Sequence, residues 1–400
     1  MHLRIPNTAL FRNQLEYFYT ARGFSQVFEF LFHKPEGGDN DGAGPDELQK
    51  DLIFMWRSRL YSDTKIALVT SVDTGFRQVH FSSHRFILVS RSPYFRTFLD
   101  SWSRTANPIA KAATGSKEEG PLTVTLPSPP FTPASLHFTL GYIYAGTLEF
   151  SHRKYDLDTA FHIMKSAGFL SIQSLYDEAQ ARIVEDMMHG LCYASLEFSE
   201  YERITGGKWG SGGCKCRTCA RRAPRVLEFA IADDVKDQYL ERGARRTLVT
   251  IYGEGWCTIE FSRLPEKIKL QLVKALVKRT IPANVFPLLF ATHQALRKLI
   301  NIPDSWSDGI KELVHSVKKA VDEVLSNQAD ECFDQPEWVE IMAGDGVRLD
   351  DADKVEWVME SVKRGLNNRN APLVYQVGNS ADFGTLSLIN DSRPLFHPSS

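Results

Sequence analysis

Cysteine is scarce in this chain, with 6 among 400 residues. That is too few for a disulfide-stapled scaffold and makes a reducing compartment the default. Neither sign of charge predominates, since 47 Lys and Arg stand against 49 Asp and Glu for a formal net charge of -2. No global basic excess is therefore present to recruit nucleic acid or anionic lipid. No apolar run approaches the roughly 18 residues of a membrane span. The first residues lack the basic region, apolar stretch and small-residue cleavage site of a signal peptide. Cytoplasm or nucleus is the expected location. Catalytic signatures are missing as well: there is no G-x-S-x-G elbow and no H-E-x-x-H. Gly206-Gly207-Lys208 lacks the earlier glycine and the following hydroxyl residue of a phosphate-binding loop, and Asp345 to Asp353 misses the EF-hand spacing. The expectation is a chain without a catalytic site.

What is present reads as a soluble globular protein, 43% apolar and 24% charged, long enough for roughly two or three domains. Residues 1–34 are aromatic-rich, and residues 35–51 are Gly-, Pro- and Asp-rich and read as a linker. Between residues 52 and 190 strand and helix patterns mix. Lys65 to Thr70 and Gln78 to Phe81 flank a turn at Asp73-Thr74-Gly75 and predict an antiparallel hairpin. Ser82 or Ser83 is placed to cap a helix through Phe86 to Val89, and Pro93 marks a break before a second short helix, Tyr94 to Leu99. Asn107 to Gly120 reads as a solvated loop, Leu122 to Leu126 as a half-buried strand, and helices are expected around Thr132 to Tyr144 and Leu157 to Met188. A Gly- and Cys-rich insert occupies residues 191–224. From residue 225 to 366 the periodicity is helical: Ile268, Leu272, Leu276, Val273 and Val277 share one face, as do Ile310, Leu313, Val314, Val317, Val321, Val324 and Leu325. Asp350 or Asp351 is expected to cap a helix bearing Val355, Val358 and Val362. Residues 367–400 read as a tail.

The run His84-Arg85-x-x-Leu88-x-x-Arg91-Ser92-Pro93-Tyr94-Phe95-Arg96, with Asp63 before it and Leu140-x-Tyr142-Ile143-Tyr144-x-Gly146-x-Leu148 after it, resembles the BTB/POZ domain. Ala160, Met164, Ala167, Phe169, Leu170, Ile172 and Leu175 stand where that family places its last helical hairpin. The stretch from Val226 to Leu270, weaker in pattern, looks like a BACK domain, the helical partner that often follows. The fold class implied is α+β: a BTB/POZ module over residues 52–190 followed by an all-α, BACK-like region. The resemblance implies a non-catalytic module that forms a homodimer, and in many relatives also docks a cullin so that a client protein held elsewhere is ubiquitylated. It matches Asp63 and Arg85 to a charged pair at the base of the dimer groove, against the plainer reading of a structural ion pair or cap. His84 reads as a packing or hydrogen-bonding residue. Cullin-binding relatives often carry an apolar residue, any residue and glutamate just after the Tyr94 to Leu99 helix. Here Leu99-Asp-Ser-Trp102-Ser-Arg104 has no glutamate. Leu3-x-Ile5-Pro6 and the aromatic cluster Tyr17 to Tyr19 echo Val124-x-Leu126-Pro127 and Tyr142 to Tyr144, so residues 1–34 are either a partial BTB-like repeat or a packing helix.

Three cysteines, Cys214, Cys216 and Cys219, fall within six positions. Cys216-x-x-Cys219 is the spacing with which two thiolates turn back on one tetrahedral zinc ion, and Cys214 offers a third. A fourth ligand has to come from afar: Cys192 is the first choice, His189 and Cys257 the next. Lys215, Arg217, Arg221 and Arg222 favour thiolates. A flexible loop with exposed thiols and a redox dithiol are the competing readings. The same basic residues, with Trp209, suggest an alternative function as a transcription or chromatin scaffold whose cysteine cluster contacts nucleic acid.

Overall fold

A computed structural model describes residues 43–72, 75–105, 122–210, 212–342 and 349–380. The echo of a repeat at residues 1–34 and the loop Asn107 to Gly120 lie outside the described residues. The chain divides into two compact units, Met1–Ile183 and Val184–Ser400.

In the first unit a three-stranded sheet has the order β2-β1-β3. β1 (Thr64–Val72) runs antiparallel to β2 (Gly75–Ser83) and parallel to β3 (Leu122–Leu126). Ile66, Ala67 and Leu68 on the central strand are fully buried, as expected for a strand covered on both faces. The parallel pairing needs a crossover, which α2 (Arg85–Arg91) and α3 (Pro93–Thr105) lie within. α4 (Pro133–Ala145) packs against α2 and carries α1 (Ala43–Ser58), and α5 (Leu157–Leu170) and α6 (Gln173–Arg182) close the unit.

Several boundaries differ from those expected. The second half of the presumed linker belongs to α1, because Trp56 lies 5.0 Å from the His137 ring and 5.1 Å from Phe150, and Arg57 donates to the Phe150 carbonyl. The anchoring aromatic lies beyond the polar run, which hid the helix. α3 extends past Leu99 to Thr105, so Leu99 to Arg104 sits within the helix rather than after it. The helix expected over Leu157 to Met188 breaks at Ser171, whose φ of +57° puts it in the left-handed region. A π-helical turn, Ile183–Met187, follows α6. α4 is bounded as its sequence suggests: Thr132 and Ser135 cap each other reciprocally, Pro133 opens the helix, and Gly146 ends it at φ +72°.

The second unit has helices and no strand among its described residues: α7 (Phe198–Thr205), α8 (Arg217–Ile231), α9 (Gln238–Thr250), α10 (Ile259–Ser262), α11 (Glu266–Lys278), α12 (Val285–Ile300), α13 (Trp306–Asn327), α14 (Ala329–Phe333), α15 (Pro336–Met342), α16 (Leu349–Gly365) and α17 (Ala371–Ser380). The expected apolar faces of α11 and α13 are buried, with two exceptions. Val277 is 37% exposed and Val324 is half-buried, each at the margin of its stripe. Asp350 and Asp351 fall inside the first turn of α16 rather than before it, and Asp351 pairs with Lys354 at 2.8 Å. Part of the presumed tail is α17: the Asn370 amide ties its start to the Gly365 carbonyl and to Asn327, a long-range anchor that local composition does not reveal.

The core of this unit carries an acid-sensitive group. His293 on α12 stacks on Trp357 of α16 with ring centroids 4.9 Å apart. Burial first, then the Lys318 and Arg364 charges, pull its pKa down to about 4, against a smaller opposing pull from Asp322 and a further lowering by Arg297. An imidazole that is harder to protonate folded than unfolded costs stability as pH falls from its unfolded pKa, about 6.5, toward 4. Stability should therefore drop by about 2 kcal/mol between pH 7 and pH 5 through this residue. His293→Phe should remove that part of the slope in urea titrations at the two pH values. An unchanged slope would show that other groups carry it.

Candidate functional site

The BTB-like motif residues converge on one hydroxyl. Tyr144, at the end of α4 and 1% exposed, meets Ser83 Oγ at 2.9 Å, the His84 backbone N–H at 2.9 Å and His84 Nδ1 at 2.7 Å. His84 Nε2 lies 2.6 Å from the Leu60 carbonyl. A carbonyl only accepts, so a singly protonated ring here carries its proton on Nε2. The Tyr144 hydroxyl then donates to Nδ1 and accepts from the His84 amide and from Ser83. Burial above all drives the phenol pKa up to about 12, which keeps it a donor. This network explains why Ser83 does not cap α2 as expected: β2 continues through Ser83, whose hydroxyl is already committed to Tyr144.

The cap of α2 comes from Asp63. Its Oδ1 accepts the Arg85 backbone N–H at 2.7 Å and the Thr64 hydroxyl at 3.1 Å. The described contact between Asp63 and Arg85 thus runs through the peptide N–H rather than the guanidinium, and the Asp63 side chain is exposed. Ser92 ends α2 and starts α3: its hydroxyl donates to the Leu170 carbonyl at 2.9 Å and accepts the Phe95 N–H at 3.4 Å, while Pro93 supplies the first residue of α3. Phe95 is fully buried and Tyr142 is 8% exposed. Tyr94 stacks with Phe98 at 6.0 Å and meets Phe169 at 5.0 Å. Phe98 and Phe169 remain 38% and 37% exposed, leaving an aromatic patch on the surface of α3 and α5.

In the second unit the structure brings together His189, Cys214, Cys216 and Cys219, whose ligand atoms all lie within 4.8 Å of one another. Cys216 caps α8, and its sulfur accepts the Cys219 N–H at 3.4 Å. That bond is the main reason its thiol pKa falls to about 6, with Cys214, Cys219 and His189 adding to it. Cys219 is fully buried, and burial pushes its thiol up. Cys192 does not join them. It is 2% exposed, with its sulfur 3.6 Å from Thr250 Oγ1 and its amide donating to Thr247. Cys257 is also buried and donates to the Gly253 carbonyl at 3.5 Å. The residue that joins the three cysteines is His189, which the sequence ranks behind Cys192 and which stands 25 residues before Cys214.

The insert is also more ordered than its glycine content suggested. A Cβ on Gly212 would come within 2.6 Å of the Tyr193 ring, and Trp209 donates to the Val249 carbonyl at 2.7 Å. Two of the basic residues nearby are engaged within the unit: Arg221 pairs with Glu260 at 2.9 Å and Arg222 donates to the Met187 carbonyl at 2.7 Å.

The first unit is thus a small sheet flanked by short capped helices, with a buried hydrogen-bond hub and an exposed aromatic patch. A family model of the BTB/POZ domain matches residues 55–186, and this part of the chain is a BTB/POZ domain. The helical remainder is consistent with a BACK-like region. A search of curated proteins finds no match. No described helix is long and apolar enough to cross a membrane.

Proposed function

We propose that the chain is a non-catalytic adaptor that forms a homodimer through its BTB/POZ domain, offers the α3 and α5 surface to a cullin scaffold, and uses the helical region to hold a client protein. The observation that carries this reading is the aromatic patch of Tyr94, Phe98 and Phe169. Cullin-binding relatives make their scaffold contact beside the helix that corresponds to α3. Here, where the apolar-x-glutamate motif is missing, two partly exposed phenylalanines offer apolar area. Engagement of Arg221 and Arg222 inside their own unit supports a protein partner over nucleic acid.

The full chain should elute at about twice its 45.3 kDa mass in size-exclusion chromatography with light scattering at micromolar concentration. A monomer there would sink the homodimer. A purified cullin amino-terminal domain should be retained by the immobilised chain and lost on Phe98→Ala with Phe169→Ala. Retention unaffected by the double substitution, or absent from the start, would remove the scaffold surface.

A further inference from the structure

We infer that His189, Cys214, Cys216 and Cys219 form a closed tetrahedral zinc centre, with one imidazole nitrogen and three thiolates as its ligands. The distances carry the inference. His189 Nδ1 lies 3.6 Å from the sulfur of Cys214, 3.6 Å from that of Cys216 and 3.6 Å from that of Cys219. A tetrahedron with Zn–S near 2.3 Å and Zn–N near 2.0–2.1 Å has an S to N edge of about 3.6 Å. An imidazole nitrogen offers a single proton or a single lone pair, so hydrogen bonding could account for one such contact, not three equal ones. Around a shared cation all three are accounted for together.

The backbone is arranged to the same end. His189 adopts φ +50° and Gly190 φ +84°, a left-handed pair that turns the chain after the Ile183–Met187 segment. A non-glycine residue held there costs energy and persists where the surroundings require it. From the other side, Cys216 caps the fifteen-residue helix α8 and Cys219 lies in its first turn, where the positive end of the helix dipole favours thiolates. The buried Cys219 thiol donates to the Met188 carbonyl at 3.1 Å, which sets α8 beside the segment that carries His189 before that proton leaves.

Three thiolates and an imidazole select zinc over calcium or magnesium, which take oxygen ligands. All four positions are filled by the protein, so none is open for water or substrate and the role is structural. The metal would tie together the turn at His189, the glycine-rich insert and the start of α8. On binding, the thiols give up their protons to solvent and four coordination bonds replace the thiol contacts.

The test uses the purified full-length chain. Elemental analysis should find one zinc per chain. After exchange, cobalt(II) should show the strong visible bands of tetrahedral geometry and a thiolate charge-transfer band in the near ultraviolet. His189→Cys should retain the metal and raise that charge-transfer intensity by about one third, as a fourth thiolate joins three. His189→Ala should weaken cobalt affinity at least about tenfold, since losing even an outer partner of a ligand costs that much. Cys192→Ser should change neither stoichiometry nor spectrum. The wild-type cobalt spectrum decides the matter even if a variant fails to fold. Absence of bound metal after reconstitution, an octahedral spectrum, loss of metal in Cys192→Ser with retention in His189→Ala, or a reversible Cys216 to Cys219 disulfide as the purified state would each overturn the inference.

Discussion

Replacing Tyr144 by phenylalanine is expected to destabilise the BTB/POZ domain by about 2–4 kcal/mol, although the change removes a single oxygen atom. That oxygen serves three groups at once: it donates to His84 Nδ1 and accepts from the His84 amide and the Ser83 hydroxyl. Ser83 and His84 are 1% and 3% exposed, so no water replaces the lost partner. Because Tyr144 ties the end of β2 and the entry to α2 onto α4, the loss should appear as faster amide exchange over residues 75–91. His84→Ala should cost less, since it removes the ring with its two bonds and leaves the amide and Ser83 paired with Tyr144. Equal exchange rates in Tyr144→Phe and the parent chain would show that the network contributes nothing net.

Asp322→Ala is expected to have the largest effect in the helical unit, about 2–3 kcal/mol, from the buried carboxylate's lost hydrogen bonds. Asp322 is 7% exposed on α13, and its carboxylate accepts from Arg364 Nε at 2.9 Å, from Arg364 Nη2 at 3.1 Å and from the fully buried Ser361 hydroxyl. The hydrogen bond to Asp322 is the main reason that the Arg364 pKa is raised. Truncation leaves the buried Ser361 hydroxyl without its acceptor and Arg364, which is partly solvated, with Glu360 alone, and it loosens α13 from α16. Glu360 reaches the same arginine at 3.4 Å from an exposed position, so Glu360→Ala should cost less than about 1 kcal/mol. Urea denaturation of the two variants at pH 7 separates the two cases. Equal midpoints would mean that Asp322 does no more than a surface partner.

The aromatic patch and the four-ligand cluster lie in different compact units and offer different chemistry. The patch presents apolar area to a protein partner. The cluster presents soft donors turned toward a common centre, which is chemistry for a metal rather than for a macromolecule.

Much of the BTB/POZ domain is legible in the sequence because its signals are local. Strand alternation at Leu122 to Leu126, the Ser92-Pro93 break and the helical stretch Thr132 to Tyr144 each rest on near neighbours in the chain. The helical faces of α11 and α13 were legible for the same reason, except at their margins, where exposure of Val277 depends on neighbouring helices. What failed was the assignment of partners across distance. Local sequence offers Ser82 or Ser83 as the cap of α2, yet Tyr144, 61 residues from Ser83, holds the Ser83 hydroxyl and Asp63 supplies the cap.

The cysteine cluster divides along the same line. Sequence alone determined that three thiols share a six-residue window with the spacing of a tetrahedral metal ligand set, because neighbouring ligands must lie close along the chain to turn back on one ion. It also determined the interaction module and the near-neutral charge that suits a protein partner. Only the tertiary structure decided the fourth position. Thiol chemistry favours Cys192, but the chain buries that sulfur beside Thr250 and turns His189 toward the three others through a left-handed backbone step, and this follows from packing rather than from residue type.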